Sequence, residues 1–163
     1  MSSYSKTIDS PIGVLVLTSD EHYLKSIEFD AAMIEESLWI PEVLLEAQKE
    51  LAEYFSGTRH HFDVPLQPQG TPFQQLVWKQ LEGVMFGSTK SYSEIARAIG
   101  SENGSRAVGM ANGQNPIPII IPCHRIIGHN GKLTGYAGGL TRKKWLLLHE
   151  QNISGGGGLF GTI

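Results

Sequence analysis

At 163 residues and 40% hydrophobic content, the chain suits one ordinary domain or two small ones, with enough apolar residues for a core. No apolar run approaches the about 18 residues of a membrane span, and Met1–Lys6 lacks an apolar signal core, so neither a spanning segment nor a leader is expected. The single cysteine rules out an internal disulfide and a thiolate-rich zinc cluster, and suits a reduced, cytoplasmic setting. The net charge of −3 hides an asymmetry: up to Gln69 four Lys/Arg face twelve Asp/Glu, whereas from Gly70 nine face four. The first part is a poor surface for nucleic acid. The second is a possible one, although uneven surface charge also arises without a partner.

In chain order, Tyr4–Thr18 reads as two strands around the turn-prone Ser10-Pro11-Ile12-Gly13, and His22–Phe29 as a third. Pro41–Phe55 carries helical spacing, with Val43, Leu44, Ala47, Leu51, Tyr54 and Phe55 on one stripe and Gly57 as its stop. His60–Val64 is predicted as a last strand. His60-His61 has no third ligand nearby and reads as surface, so no metal is expected. These elements make a first domain over 1–64, followed by a Pro/Gly linker over 65–70.

Thr71-Pro72 opens a helix, an N-cap threonine before a proline at the first helical position. Ser91–Gly100 is a second helix, Ser101–Gly104 a turn, and Ser105–Asn112 a short third helix rich in small residues. Helix, glycine-containing turn and helix is the helix-turn-helix pattern, equally compatible with an ordinary helical hairpin. Gly128–Gly131 suggests a hairpin turn, and Thr134–Gly139 a glycine-rich loop without dinucleotide spacing. Thr141–Glu150 is the last helix. A second domain therefore spans 71–153, with a glycine-rich tail over 154–163.

The stretch with chemistry is Pro116–Arg125. Its apolar run Ile119–Ile121 predicts an extended buried segment, and Pro122 fixes the backbone just before Cys123. A thiol followed by His124 and Arg125 is a setting that lowers a cysteine pKa, and the alternative is an inert buried cysteine. His124 is a candidate base and Glu150 a candidate group to orient it, though on these residues alone a solvated helix-end carboxylate is the favoured reading of Glu150. On these residues alone a cysteine hydrolase and a non-enzymatic helix-turn-helix regulator stay open.

Pro122-Cys123-His124-Arg125, preceded by Asn115-Pro116-Ile117-Pro118, resembles the active-site signature of the O6-alkylguanine-DNA alkyltransferases, and the resemblance runs from about Thr71 to Glu150. It implies an α+β protein, with a small ribonuclease H-like N-terminal α/β domain ahead of a mainly helical winged helix-turn-helix domain that carries the cysteine. It implies a glutamate–histidine–water–cysteine relay from Glu150, His124 and Cys123, with Asn115 as the hinge tying the recognition helix to the cysteine segment. Tyr92 becomes the group that assists base flipping and protonates the leaving guanine. Pro118, Tyr136, Ala137 and Gly138 become the base pocket, with Gly138 and Gly139 allowing close backbone approach. Arg106 fills the stack vacated by the flipped base, and Ala107, Gly109, Ala111 and Asn112 belong to the helix entering the minor groove. Gln114 departs from the small or basic residue common there. Alkyltransferase-like proteins have tryptophan at the cysteine position, whereas this chain keeps Cys123. The implied activity is single-turnover direct reversal on double-stranded DNA by a monomer, without metal or cofactor.

Overall fold

The computed structural model describes residues 2–31, 34–101 and 103–155. Its chain divides into two compact units, 1–69 with Pro116–Pro118, and 70–115 with 119–163. The architecture is α+β, with a small sheet in the first unit and mainly helices in the second.

The first unit is an antiparallel meander of β1 (Tyr4–Ile8), β2 (Leu15–Ser19) and β3 (Leu24–Phe29), with α1 (Glu42–Ser56) packed on it. Central β2 buries Leu15, Val16 and Leu17, so both of its faces are covered. The register pairs Ile8 with Leu15 and Leu17 with Ile27. Val43, Leu44, Ala47, Leu51 and Tyr54 of the predicted stripe are buried and Phe55 is half-buried, and Gly57 closes α1 at φ 88°, a backbone state costly for a side chain.

His60–Val64 does not form the predicted strand. The buried Glu50 carboxylate takes the backbone N–H groups of Asp63 (2.8 Å) and Val64 (3.1 Å), so those donors are satisfied without a ladder. The chain reaches the sheet just after that, inside the predicted linker. Leu24 donates to Pro65 O and Gln67 donates to Leu24 O, both at 2.9 Å, which makes Leu66 a parallel bridge to Leu24. Pro116–Pro118 joins this unit too, as Ile27 donates to Pro116 O at 2.9 Å and Ile117 is fully buried.

The second unit opens with α2 (Pro72–Glu82). Thr71 and Gln74 form a reciprocal capping box, a device of about 1 kcal/mol. Trp78 on α2 is buried and donates from Nε1 to the Ala111 carbonyl at 2.8 Å. A Cβ built on Gly70 lies 2.4 Å from the Trp78 ring, so the glycine is a steric requirement of that packing.

Strand β4 (Lys90–Ser91) leads directly into α3 (Tyr92–Ala98), which Ser91 and Glu94 cap with a second box. After the turn closed by Gly104 N–H to Ser101 O (2.8 Å), α4 (Ser105–Gly113) packs against α2 and α3 as the second arm of a helix-turn-helix. A 3-10 turn, Cys123–Arg125, runs into β5 (Ile126–Ile127), which pairs in parallel with β4. That two-residue ladder brings the start of α3 beside the cysteine segment. Residues 128–131 form a closed turn, Gly131 N–H to Gly128 O at 2.9 Å, but among the described residues no strand follows it to pair with β5, so it closes no hairpin. The last helix, α5 (Leu140–Ser154), runs into part of the predicted tail. The remainder of that tail, 156–163, lies outside the described residues.

Candidate active site around Cys123

The run before the cysteine is not extended as predicted. Ile119 has φ 75°, the left-handed region, where a β-branched residue carries backbone strain of about 1–3 kcal/mol. The strain persists because the segment is over-determined. Ile119 and Ile121 are fully buried, and Asn115 Nδ2 donates to Ile121 O at 2.7 Å. Pro122, at φ −81° and ψ 64°, then makes an inverse γ-turn, closed by Cys123 N–H to Ile121 O at 2.7 Å. Cys123 thus starts its turn on a backbone pinned on both sides. Asn112 on α4 adds a third tie, donating from Nδ2 to Cys123 O at 3.3 Å.

Glu150 is no solvated helix end. It is 1% exposed and its carboxylate is met by four nitrogens from Arg125, Gly87 and His124. Arg125 grips it with a two-pronged fork, Nε to Oε1 at 2.8 Å and Nη2 to Oε2 at 3.0 Å, while Nη1 donates to Val84 O at 2.6 Å. Gly87 N–H reaches Oε1 at 3.2 Å, and His124 Nε2 meets Oε2 at 2.6 Å. Burial alone would raise the Glu150 pKa, but His124 and Arg125 outweigh it and hold the carboxyl far below its usual range. An ionised Glu150 can only accept, so Nε2–H donates to it and the His124 lone pair is left on Nδ1. Burial also keeps that imidazole neutral, lowering its pKa despite Glu150. His124 Nδ1 is buried with no hydrogen-bond partner among the described residues, so it is a base with an open valence beside the thiol's turn.

The thiol's electrostatics differ from the sequence-based expectation. Burial pushes Cys123 up to about 11, and the groups that pull it down are the Asn115 side chain and the Lys143 ammonium. Arg125 is turned away, because Glu150 claims its guanidinium. Lys143 went unseen in the sequence, as a lysine inside a helix looks like solvated surface. It is fully buried on α5, donating from Nζ to Ile126 O (2.6 Å) and Thr134 O (2.8 Å), and burial lowers its own pKa to about 8. Alkylation of the resting thiol by iodoacetamide is accordingly expected to be slow at neutral pH and to climb toward pH 11. A flat profile above pH 8 would contradict this.

Tyr92, at the first position of α3, is half-buried. Its hydroxyl accepts from Thr134 Oγ1 at 3.0 Å, and burial raises its pKa. Tyr136 is also raised, well above its ordinary value, first by burial and then by the neighbouring Cys123. In the same loop Ala137 is exposed, and Gly138 O accepts from Arg142 Nη1 at 3.2 Å. Gly139 has φ 88° and caps α5. Pro118 is buried and belongs to the first unit.

On α4 the helical period sorts the predicted contacts. Arg106 and Ala107 are exposed, but Ala111 and Asn112 are buried and face inward, where Ala111 O serves Trp78 and Asn112 serves Cys123. Ala111 thus ties α4 to α2 and Asn112 ties it to the cysteine turn, so the side chains of these two expected groove contacts are turned into the protein. Gly109 is half-buried beside Tyr92, and a Cβ there would sit 3.8 Å from the ring, an ordinary contact. The outward face is Arg106, Ala107, Met110, Gly113 and Gln114.

Residues 72–152 match the family described as 6-O-methylguanine DNA methyltransferase, DNA binding domain, and residues 3–68 match its ribonuclease-like domain. A methylated-DNA–protein-cysteine methyltransferase of Methanosarcina acetivorans is 47% identical over 90% of this chain and 97% of the relative. The constitutive enzyme of Bacillus subtilis is 42% identical over 93% and 97%. Among solved structures, the Mycobacterium tuberculosis O6-methylguanine methyltransferase superposes with a TM-score of 0.83 at 46% identity, covering 93% of this chain and 94% of that one. The crystal structure titled as M. tuberculosis OGT in complex with DNA also has a TM-score of 0.83, at 47% identity over 91% and 93%. The chain belongs to the methylated-DNA–protein-cysteine methyltransferase family.

Proposed function

We propose that this protein repairs DNA by moving the alkyl group of an O6-alkylguanine onto Cys123, once per chain. The carrying observation is the lone buried thiol in one turn with a neutral His124. The imidazole's Nε2 is committed to Glu150 while its Nδ1 is open. In the proposed step the thiol proton passes through a water to Nδ1. Sγ attacks the alkyl carbon, the carbon–O6 bond breaks, and the departing guanine takes a proton from Tyr92. The product is a thioether that water does not hydrolyse, so the protein is consumed.

A base inside a duplex is out of reach of a buried thiol. The substrate base is therefore flipped into a pocket at the glycine-rich loop, formed with Tyr136, Ala137 and Gly138, at a cost of roughly a few kcal/mol that is smaller for a badly paired base. The outward face of α4 enters the minor groove of double-stranded DNA, and Arg106 fills the vacated stack. The protein works as a monomer in the cytoplasm, without metal or cofactor. Among the described residues no helix is long and apolar enough to cross a membrane.

Intact-mass measurement after incubation with excess O6-methylguanine duplex tests this reading. One methyl per chain, mapped to Cys123, is the expected result. Repeated turnover would favour a cysteine hydrolase instead, and a methyl on any other residue would overturn the assignment.

Arg106 provides a second test. It is exposed and lies on the outward face of α4, away from the thiol's ties. Arg106→Ala is expected to slow repair in duplex DNA by about tenfold or more, the loss of one charge-assisted contact. Reaction with free O6-benzylguanine, which needs no flipping, stays at the wild-type rate. Equal losses on both substrates would place Arg106 in the chemistry or the fold.

A further inference from the structure

The role proposed for Tyr92 requires its phenol to hold a proton ready and then to bear a negative charge. We propose that Thr134 is the positioning residue that makes Tyr92 an acid, an inference that rests on the reading of Tyr92 given above. The Thr134 hydroxyl donates to the Tyr92 oxygen at 3.0 Å, which occupies an acceptor position on the phenol. The phenol's own proton has only a long contact, 3.4 Å, to the Thr134 carbonyl. That carbonyl already accepts from the Lys143 ammonium at 2.8 Å, and Lys143 is anchored a second time on Ile126 O at 2.6 Å.

One residue therefore engages the phenol oxygen through its side chain, while its main-chain acceptor is occupied by a lysine. The proton of Tyr92 is left weakly held and free to turn toward an incoming base. As it departs, the Thr134 bond becomes a hydrogen bond to an anion, which is shorter and roughly twice as strong. The difference between the two states lowers the barrier.

The other groups facing Tyr92 do not supply this contact. The Lys143 Nζ stands 6.0 Å from the ring centroid, Cys123 raises the phenol pKa instead of lowering it, and α4 presents Gly109. Nothing in the sequence marked Thr134, which there is only the first residue of a glycine-rich loop.

The experiment is single-turnover transfer from O6-methylguanine duplex by Thr134→Val, Thr134→Ser, Tyr92→Phe and the Thr134→Val/Tyr92→Phe double variant. Thr134→Val keeps the shape and removes the hydroxyl. It is expected to be about tenfold slower, what a hydrogen bond of about 1.4 kcal/mol supplies. Thr134→Ser is expected to restore the rate, and in the Tyr92→Phe background the valine is expected to cost nothing more. Iodoacetamide alkylation of Cys123, which needs no proton donor, is expected to be unchanged in Thr134→Val.

Full-rate transfer by Thr134→Val beside a slow Tyr92→Phe overturns the inference, as do losses that add in the double variant or a serine that fails to restore the rate. A Tyr92→Phe variant that transfers at the wild-type rate removes Tyr92 as the acid, and Thr134 with it. Methyl gain at Cys123 would still stand in that case, so the two failures are distinguishable.

Discussion

Cys123→Ala is expected to lose all alkyl transfer while still binding duplex DNA. It is the only thiol in the chain, so no second nucleophile of its kind can take over. The side chain is 4% exposed and lies behind the ties from Asn112 and Asn115, not on the outward face of α4, so its removal leaves that face intact. Loss of a small buried side chain costs on the order of 1 kcal/mol. Transfer is checked by intact mass and binding by duplex titration. Residual methylation of the alanine variant would mean that another group accepts the alkyl, and lost DNA binding would mean that the cysteine segment shapes the interface.

Glu150→Gln is expected to be the most destabilising single change at the site. The carboxylate balances Arg125 and receives from His124 and Gly87, all within a buried cluster. An amide retains one acceptor oxygen and turns an NH2 toward groups that are themselves donors. Breaking a buried pair in this way costs about 3–5 kcal/mol, because it leaves the guanidinium buried and uncompensated. The His124 tautomer also loses its anchor, so transfer should slow even in the fraction that remains folded. Thermal melting and single-turnover transfer check the two effects. A variant with wild-type melting would remove Glu150 as the keystone.

The pH dependence follows from the same cluster. The Glu150 pKa is depressed in the folded state, so its contribution is complete above the ordinary carboxylate range and is lost as pH falls from there through the folded value. The His124 pKa is also depressed, so below its ordinary value the unfolded chain takes up a proton that the folded one resists. Both act in the same direction. The wild type is expected to lose stability on acidification, beginning near the histidine range and steepening through the carboxylate range. In Glu150→Gln the carboxylate part of that slope should be missing.

The sequence by itself determined a good deal here. The strands and helices were readable because apolar spacing and caps are local signals. Thr71-Pro72, Ser91 with Glu94, and Gly57 each act within one turn of where they stand. The reactive stretch was readable because a lone cysteine between Pro122 and His124 is a chemical signature, and the family it pointed to is the one the comparisons show.

Tertiary structure decided what depends on partners distant in sequence. His60–Val64 looked like a strand, but Glu50 satisfies its donors from α1. Ile119–Ile121 looked extended, yet Asn115 bends it and burial sustains the strain. Arg125 looked like the cation beside the thiol, but Glu150, 25 residues on, claims it. The buried cation acting on the thiol is Lys143, whose desolvation is offset by carbonyls that β5 and the glycine-rich loop place around it. Ala111 and Asn112 looked like groove contacts, and only the packing of α4 on α2 and the cysteine turn decides that they face inward. Local pattern specifies which element forms. Which charge neutralises which, and which way a helix faces, follow from the free energy of burying polar groups, and that depends on neighbours the chain supplies only after it has folded.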